Sequence, residues 1–339
     1  MINLIKPAPI KPGDTVYVIS PSAGIMPFAE NRVKRSKKNL EKLGLKVKIA
    51  PNANKNDGYV SSSVENRVSD IHCAFRDENC SLIIAAIGGN HSNQLLKHLD
   101  YELIKKNPKT FVGYSDNTVL HLGLMSQAGL QTVYGPCFLN QFGENPEPFE
   151  YTMDDFTKVV INKIYPRKIL PSEQYTDEIL DWFKNEDAKR PRKQKVNLGW
   201  EWWQEGKSSG WALPVAIPSI NHVLTTKYMP DVTGAVLMID IPEGGSMYEG
   251  MSVADVDSWM TDLSNAEVLS KINALVISRP YRYSAATIAE LKKVIDRITH
   301  DLEIPVLFNI DFGHTDPMIS IPYGTTIRLD SNKNSFEFI

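Results

Sequence analysis

The run "CSLIIAAIGG" at residues 80–89, continuously apolar and stopped by a glycine pair, constrains this chain more than any other stretch. A run of that kind suits a strand buried on both faces, and such strands belong to parallel sheets covered by helices above and below. The flanking sequence supplies the cover. "DTVYVISPSA" (14–23) is a strand running into a turn, and "FAENRVKRSKKNLEKLG" (28–44) is an amphipathic helix closed by Gly44. "LKVKIA" (45–50) is the next strand, and "SSVENRVSDIHCAFRD" (62–77) is a helix with Ser62 or Ser63 as its cap. Beyond the glycine pair, "KTFVGY" (109–114) has the bias of a short buried strand. "DNTVLHLGLMSQAGL" (116–130) carries helical spacing, with Asp116 and Asn117 as N-cap candidates. The alternation predicts an α/β domain on a parallel sheet over residues 1–150. Ligands bind such sheets beyond the carboxyl ends of the strands. Three strand ends therefore point to one crevice: "SPSAG" (20–24), "GGNHSN" (88–93) and "GYSDN" (113–117).

From about residue 141 the character changes. "GENPEPFEYTMDDF" and "KNEDAKRPRKQKVN" are polar, charged and proline-bearing, so residues 151–205 read as a linker or excursion. A second apolar block follows, with strands expected at "GAVLMIDI" (234–241), "ALVIS" (274–278) and "IPVLFNI" (304–310). Helical patterns lie between them in "ADVDSWMTDLSNAEVLSKI" and "SAATIAELKKVIDRITHDL". Residues 206–339 thus form a second, smaller α/β domain. A formal net charge of −3 over 339 residues favours neither a nucleic-acid nor an anionic-membrane partner. The basic cluster in "NRVKRSKKNLEKLGLK" falls at helical spacing and reads as a solvated face. Cys73, Cys80 and Cys137 suggest neither a disulfide framework nor a zinc site. The opening "MINLIKPAPIKPGD" lacks the apolar run of a signal peptide, and no later run would span a bilayer, so a soluble cytoplasmic protein is expected.

Ser115 occupies the strand-to-helix turn in "FVGYSDNT", where a hydroxyl can stand clear of the sheet. The nucleophile-elbow pattern G-x-S-x-G is not met, because Asn117 holds the fifth position. As a nucleophile Ser115 needs a base, and the base needs an orienting acid. Of the seven histidines, His314 in "DFGHTDP" lies on a loop after a strand. His72 and His121 fall within helical patterns, where packing explains them; His98 and His300 lie near helix ends, and His91 sits in a polar loop. For the acid, "GAVLMIDIPEGG" offers Asp240 inside a strand and Glu243 just past it. Backbone amides around Gly88, Gly89 and Asp116 are candidate donors to an oxyanion. No P-loop, Rossmann glycine fingerprint or H-E-x-x-H occurs, which argues against nucleotide hydrolase, dehydrogenase and zincin readings. Trp200, Trp202, Trp203 and Trp211 crowd into "GWEWWQEGKSSGW", a cluster better suited to lining a site for a planar group than to a core strand.

The segments "KPGDTVYVISPSAG", "AAIGGNHSNQLLKHLDYELIKKNPKTFVGYSDNTVLHLGL", "TVYGP" and "NIDFGHTDPMISIPYG" resemble the LD-carboxypeptidase family of serine peptidases. "GGNHSN", the "FGE" after "YGP" and "GWEWW" lean toward its microcin-immunity branch. The resemblance implies a Ser-His-acid triad at a domain interface, no metal or other cofactor, and often a homodimer. Ser115 matches the nucleophile, His314 the base, and Gly89 and Asp116 the oxyanion donors; Gly88, Asn90, Trp200, Trp202 and Trp203 are expected to bind substrate. The chain departs from the family twice. Asp240 stands where the pattern has Glu, which leaves Glu243 as an alternative orienting acid. Pro214, Val215 and Ala216 stand where the family has "GGN", and Pro214 lacks a backbone donor. The implied substrate is a short peptide or small molecule: a microcin-type peptidyl or aminoacyl nucleotide hydrolysed in self-immunity or antibiotic resistance. A cell-wall muropeptide, or a degenerate relative that binds a small ligand without turnover, are the alternatives.

Overall fold

Each apolar run named above forms a strand, and shorter strands join them. The computed structural model describes residues 3–339. In chain order the strands are β1 Thr15–Ile19, β2 Lys46–Ile49, β3 Cys80–Ala85, β4 Thr110–Gly113 and β5 Val133–Tyr134. Then come β6 Arg167–Lys168, β7 Gln174–Tyr175, β8 Lys195–Val196, β9 Glu201–Gln204 and β10 Lys207–Ala216. The last are β11 Ala235–Asp240, β12 Ala274–Ser278, β13 Val306–Ile310, β14 Ile321–Pro322, β15 Thr326–Asp330 and β16 Ser335–Phe338. One sheet has the order β14-β5-β4-β3-β1-β2, with β1 to β5 parallel and β14 antiparallel at the edge. The second has the order β6-β16-β15-β10-β11-β12-β13-β9, with β10 to β13 parallel and the flanks antiparallel.

The structure departs from the expected division in two places. The excursion is not merely a linker, since it supplies β6 and β9, the two edges of the second sheet. Conversely, β14 comes from the C-terminal part of the chain yet completes the first sheet. The two halves are sewn together rather than hung on a hinge.

The helices follow the sequence signals closely. The helix Glu30–Lys42 ends at Gly44, whose φ of +80° suits a residue without a Cβ. Ser63, not Ser62, caps Val64–Arg76, its hydroxyl accepting from the Asn66 amide at 3.3 Å. Thr118–Ala128 is buried on nearly every face, as a helix with no polar stripe must be. It lies at the seam: the Thr118 hydroxyl accepts from the Ala216 amide at 3.0 Å, and Ser126 and Gln127 donate to the carbonyls of Tyr228 and Lys227.

Strand β10 has no clean signature in the sequence, because Gly210 and Pro214 interrupt it. The pairing explains why it forms. Ala212 exchanges hydrogen bonds with Thr325 and Gly324, on the side away from β11, and Ala216 donates on that same side to Thr118. Pro214 lies midway between them, so its missing N–H also faces the seam and no bond of the β10–β11 ladder is lost.

Candidate active site

The carboxyl ends of the two sheets meet at Ser115. This residue is separated from the end of β4 by Tyr114 alone and has φ of +64°, a left-handed conformation that a serine adopts only when its surroundings hold it. Those surroundings are specific. Gly88 packs so closely that an added Cβ would lie 2.8 Å from both Cβ and Oγ of Ser115. The Ser115 amide donates to the Tyr134 hydroxyl at 3.4 Å. Asp116 does not cap its own helix as expected. Its carboxylate accepts from the amides of His91 and Ser92, both at 2.9 Å, so the serine turn and the glycine loop are locked together. Arg67 closes the assembly by donating to the carbonyls of Pro21 and His91, which belong to the other two strand-end loops.

Asp240 is the last residue of β11 and is fully buried. Its Oδ2 lies 2.7 Å from His314 Nδ1, and its Oδ1 accepts from the His314 amide at 3.1 Å. Nε2 of the same imidazole lies 2.9 Å from Ser115 Oγ. The shorter aspartate reaches because the loop comes to it. Gly313, at φ of +88°, lies against the carboxylate so tightly that a Cβ there would sit 1.9 Å from Oδ1. Tyr134 donates to Oδ2 at 2.5 Å, giving the buried charge a further partner. Burial and then the neighbouring Asp240 keep that phenol protonated. Glu243 is not the orienting acid. It approaches the opposite nitrogen, with Oε2 3.6 Å from Nε2, and its side chain is 45% exposed. Burial works against charge on His314, but Asp240, Glu243 and Asp316 outweigh it and hold the imidazole up at about 9.

The hydroxyl opens into a cavity of about 230 Å³ lined in part by Gly88, Gly89, Tyr114, Ser115, Glu243 and His314. Its roof is the excursion. Glu178 to Leu180, Trp182, Phe183 and Arg192 all face it. The roof is anchored on both sides: Thr176 pairs with Asp316 beside His314, and Asp187 accepts from Arg32 and Arg35 of the first helix. The basic face of that helix is therefore only partly solvated. Lys34 and Lys37 make exposed pairs, whereas Arg32 turns inward.

The expected tryptophans lie elsewhere. Trp203 stacks on Phe308 at 4.1 Å, Trp202 donates to Asn334, and Trp200 sits edge-on to Phe336. Trp202 and Trp203 belong to β9, an edge strand of the second sheet, Trp200 immediately precedes it, and none of the three lines the cavity. Asn90 is exposed and likewise outside the cavity lining, as are Pro214, Val215 and Ala216. His121 is the packing residue its spacing implied: buried, bonded to Thr132 Oγ1 and the Gly113 carbonyl, with burial pushing its pKa down to about 3. Sequence reasoning missed Tyr134, Gly313 and Trp182. The first two stood inside quoted segments at strand ends, which was the available signal; Trp182 had none.

Residues 16–135 match the model of the LD-carboxypeptidase N-terminal domain, and residues 209–329 that of the LD-carboxypeptidase C-terminal domain. The chain belongs to the LD-carboxypeptidase family. A carboxypeptidase-family protein of Treponema pallidum is 32% identical over 325 residues, covering 96% of this chain and 92% of its own length. The microcin C7 self-immunity protein MccF of Escherichia coli is 29% identical over 333 residues, covering 96% and 94%. An MccF-like protein from Bacillus anthracis shares the structure over 99% of each chain, with a TM-score of 0.90 and 31% identity. Solved structures similar to this chain include MccF and MccF-like proteins, among them MccF in complex with aspartyl sulfamoyl adenosine. No helix among the described residues is long and apolar enough to cross a membrane.

Proposed function

We propose that the chain is a serine hydrolase of the microcin-immunity type, cleaving the acyl–nitrogen bond of a small peptidyl or aminoacyl nucleotide. The observation that carries the reading is one unbroken chain of hydrogen bonds across the two domains, Ser115 Oγ to His314 Nε2 and Nδ1 to Asp240. In its neutral form His314 takes the Ser115 proton as Oγ bonds to the carbonyl carbon, and Asp240 stabilises the imidazolium that results. The amides of Gly89 and Asp116 would hold the oxyanion. Collapse of the adduct breaks the carbon–nitrogen bond, with His314 returning the proton to the leaving nitrogen. Water then attacks the acyl-enzyme, its proton passing to His314 and from there back to Oγ. The roofed cavity supports a small substrate, because the excursion would exclude a folded chain. Trp182 and Phe183 give it flat apolar walls for a planar group.

The test is labelling with a fluorophosphonate, read by intact mass, beside turnover of aspartyl sulfamoyl adenosine. The wild type should gain one adduct and release product, whereas Ser115→Ala and His314→Ala should do neither. Product release that survives Ser115→Ala would sink the reading.

A further inference from the structure

Five charged side chains line the cavity: Arg32, Arg192, Glu178, Glu243 and Asp316. Four of them are already matched. Arg32 lies 3.0 Å from Asp187 and 3.6 Å from Glu144, and its guanidinium rests over the Trp182 ring. Arg192 sits between Glu144 at 2.7 Å and Asp316 at 2.6 Å. Glu178 is gripped by Arg190 at 2.8 Å. Glu243 is the exception. Among the described residues its only ionic neighbour is His314, and its side chain is nearly half exposed to the cavity side of the molecule.

The position of this carboxylate relates it to the reacting centre. Nε2 of His314 lies 2.9 Å from Ser115 Oγ and 3.6 Å from Glu243 Oε2, so an acyl group attached to Ser115 extends from a point close to Glu243. A carboxylate on that acyl group would find no unmatched arginine and would lie near a like charge. An ammonium would find a carboxylate whose one ionic neighbour among the described residues is the His314 imidazole, with no arginine or lysine upon it. Resting on the function proposed above, we propose that Glu243 sets charge selectivity, so that this enzyme takes acyl groups bearing a cationic side chain in preference to acidic ones. That preference is opposite in sign to the aspartyl group carried by the ligand in the MccF complex. A charge-assisted hydrogen bond of this kind is worth about tenfold or more in affinity.

The test compares lysyl sulfamoyl adenosine with glutamyl sulfamoyl adenosine. Binding is measured by calorimetry on Ser115→Ala, and kcat/KM on the wild type, each repeated with Glu243→Gln added. The lysyl compound should be favoured about tenfold in both measurements, and the added substitution should abolish the preference. Because the charge on His314 acts on the two ligands in opposite directions, each comparison is made at pH values below and above the His314 transition, and the Glu243 effect is read where His314 has the same charge in both proteins. Equal or reversed preference in the presence of Glu243, or a lysyl preference that survives its removal, overturns the assignment. A binding preference without turnover would leave the assignment standing and remove the hydrolase reading. Turnover without a preference would do the reverse, and failure to bind either ligand would remove both.

Discussion

Replacing Asp240 by Glu would restore the residue that the family pattern places there, and the structure predicts that it damages the site. The carboxylate is fixed by four donors: the Tyr134 hydroxyl at 2.5 Å, His314 Nδ1 at 2.7 Å, the His314 amide at 3.1 Å and the Ser278 hydroxyl at 3.4 Å. The Gly313 backbone closes the remaining space, as the 1.9 Å approach of its would-be Cβ to Oδ1 shows. An added methylene lengthens the side chain by about 1.5 Å, as one carbon–carbon bond must, in a fully buried residue whose carboxylate already lies against the Gly313 backbone. Either the 313–314 loop retreats, carrying the imidazole from Ser115, or the carboxylate folds back and loses Tyr134. Overpacking of this kind costs about 1–3 kcal/mol of stability, and a displacement near 1 Å at a reacting group costs on the order of 100-fold in rate. The assay is kcat/KM on a sulfamoyl adenosine substrate, beside a thermal melt of each protein. Asp240→Glu should lose about 100-fold in kcat and melt earlier, while Asp240→Asn should lose activity with less effect on stability. Wild-type or higher activity in Asp240→Glu would refute the claim that Gly313 has adapted the loop to the shorter acid.

Four further outcomes follow from the same geometry. Because His314 is held at about 9, above its ordinary 6.5, kcat/KM should rise with pH along a limb centred well above neutrality; Glu243→Gln should move that limb down by about one pH unit or less, given the screening of a half-exposed charge. By linkage, the protonated His314 stabilises the fold fully below its unfolded pKa and loses that contribution as pH rises through about 9, which urea titrations at pH 6 and pH 10 would register. Gly88→Ala should abolish fluorophosphonate labelling while leaving the circular dichroism spectrum intact, because its Cβ would displace Ser115. Trp203→Ala should lower stability by about 2 kcal/mol through loss of its stacking on Phe308, yet leave KM unchanged; a raised KM would return the tryptophans to the substrate site.

What the sequence showed and what it hid divide along a physical line. Runs such as "CSLIIAAIGG" and "GAVLMIDI" carry their own reason for being strands, since burial on both faces demands continuous apolarity. Ser115, His314 and Asp240 were legible for a related reason: each stands at the carboxyl end of such a strand or just beyond it, where open parallel sheets gather their sites. Strand β10 was not legible, because what permits Pro214 is the direction its nitrogen faces, which pairing settles and local sequence does not. The excursion was hidden for a stronger reason. Its polar, charged composition is what a solvated linker has, and it becomes a roof only because Asp187, Arg192 and Thr176 find Arg32, Glu144 and Asp316 on separate parts of the fold. Partners recruited from so far along the chain leave no period to read, as the 155-residue separation of Arg32 from Asp187 illustrates. The tryptophans mislead by the same logic in reverse. Their density looked like a binding platform, but on an edge strand half-buried aromatics are what shields a sheet's open margin, and Trp203 found Phe308 before any ligand could. On the function proposed above, substrate recognition would rest on the segment whose composition promised least, and Glu243, the lining carboxylate with no arginine or lysine upon it, is the one to change first.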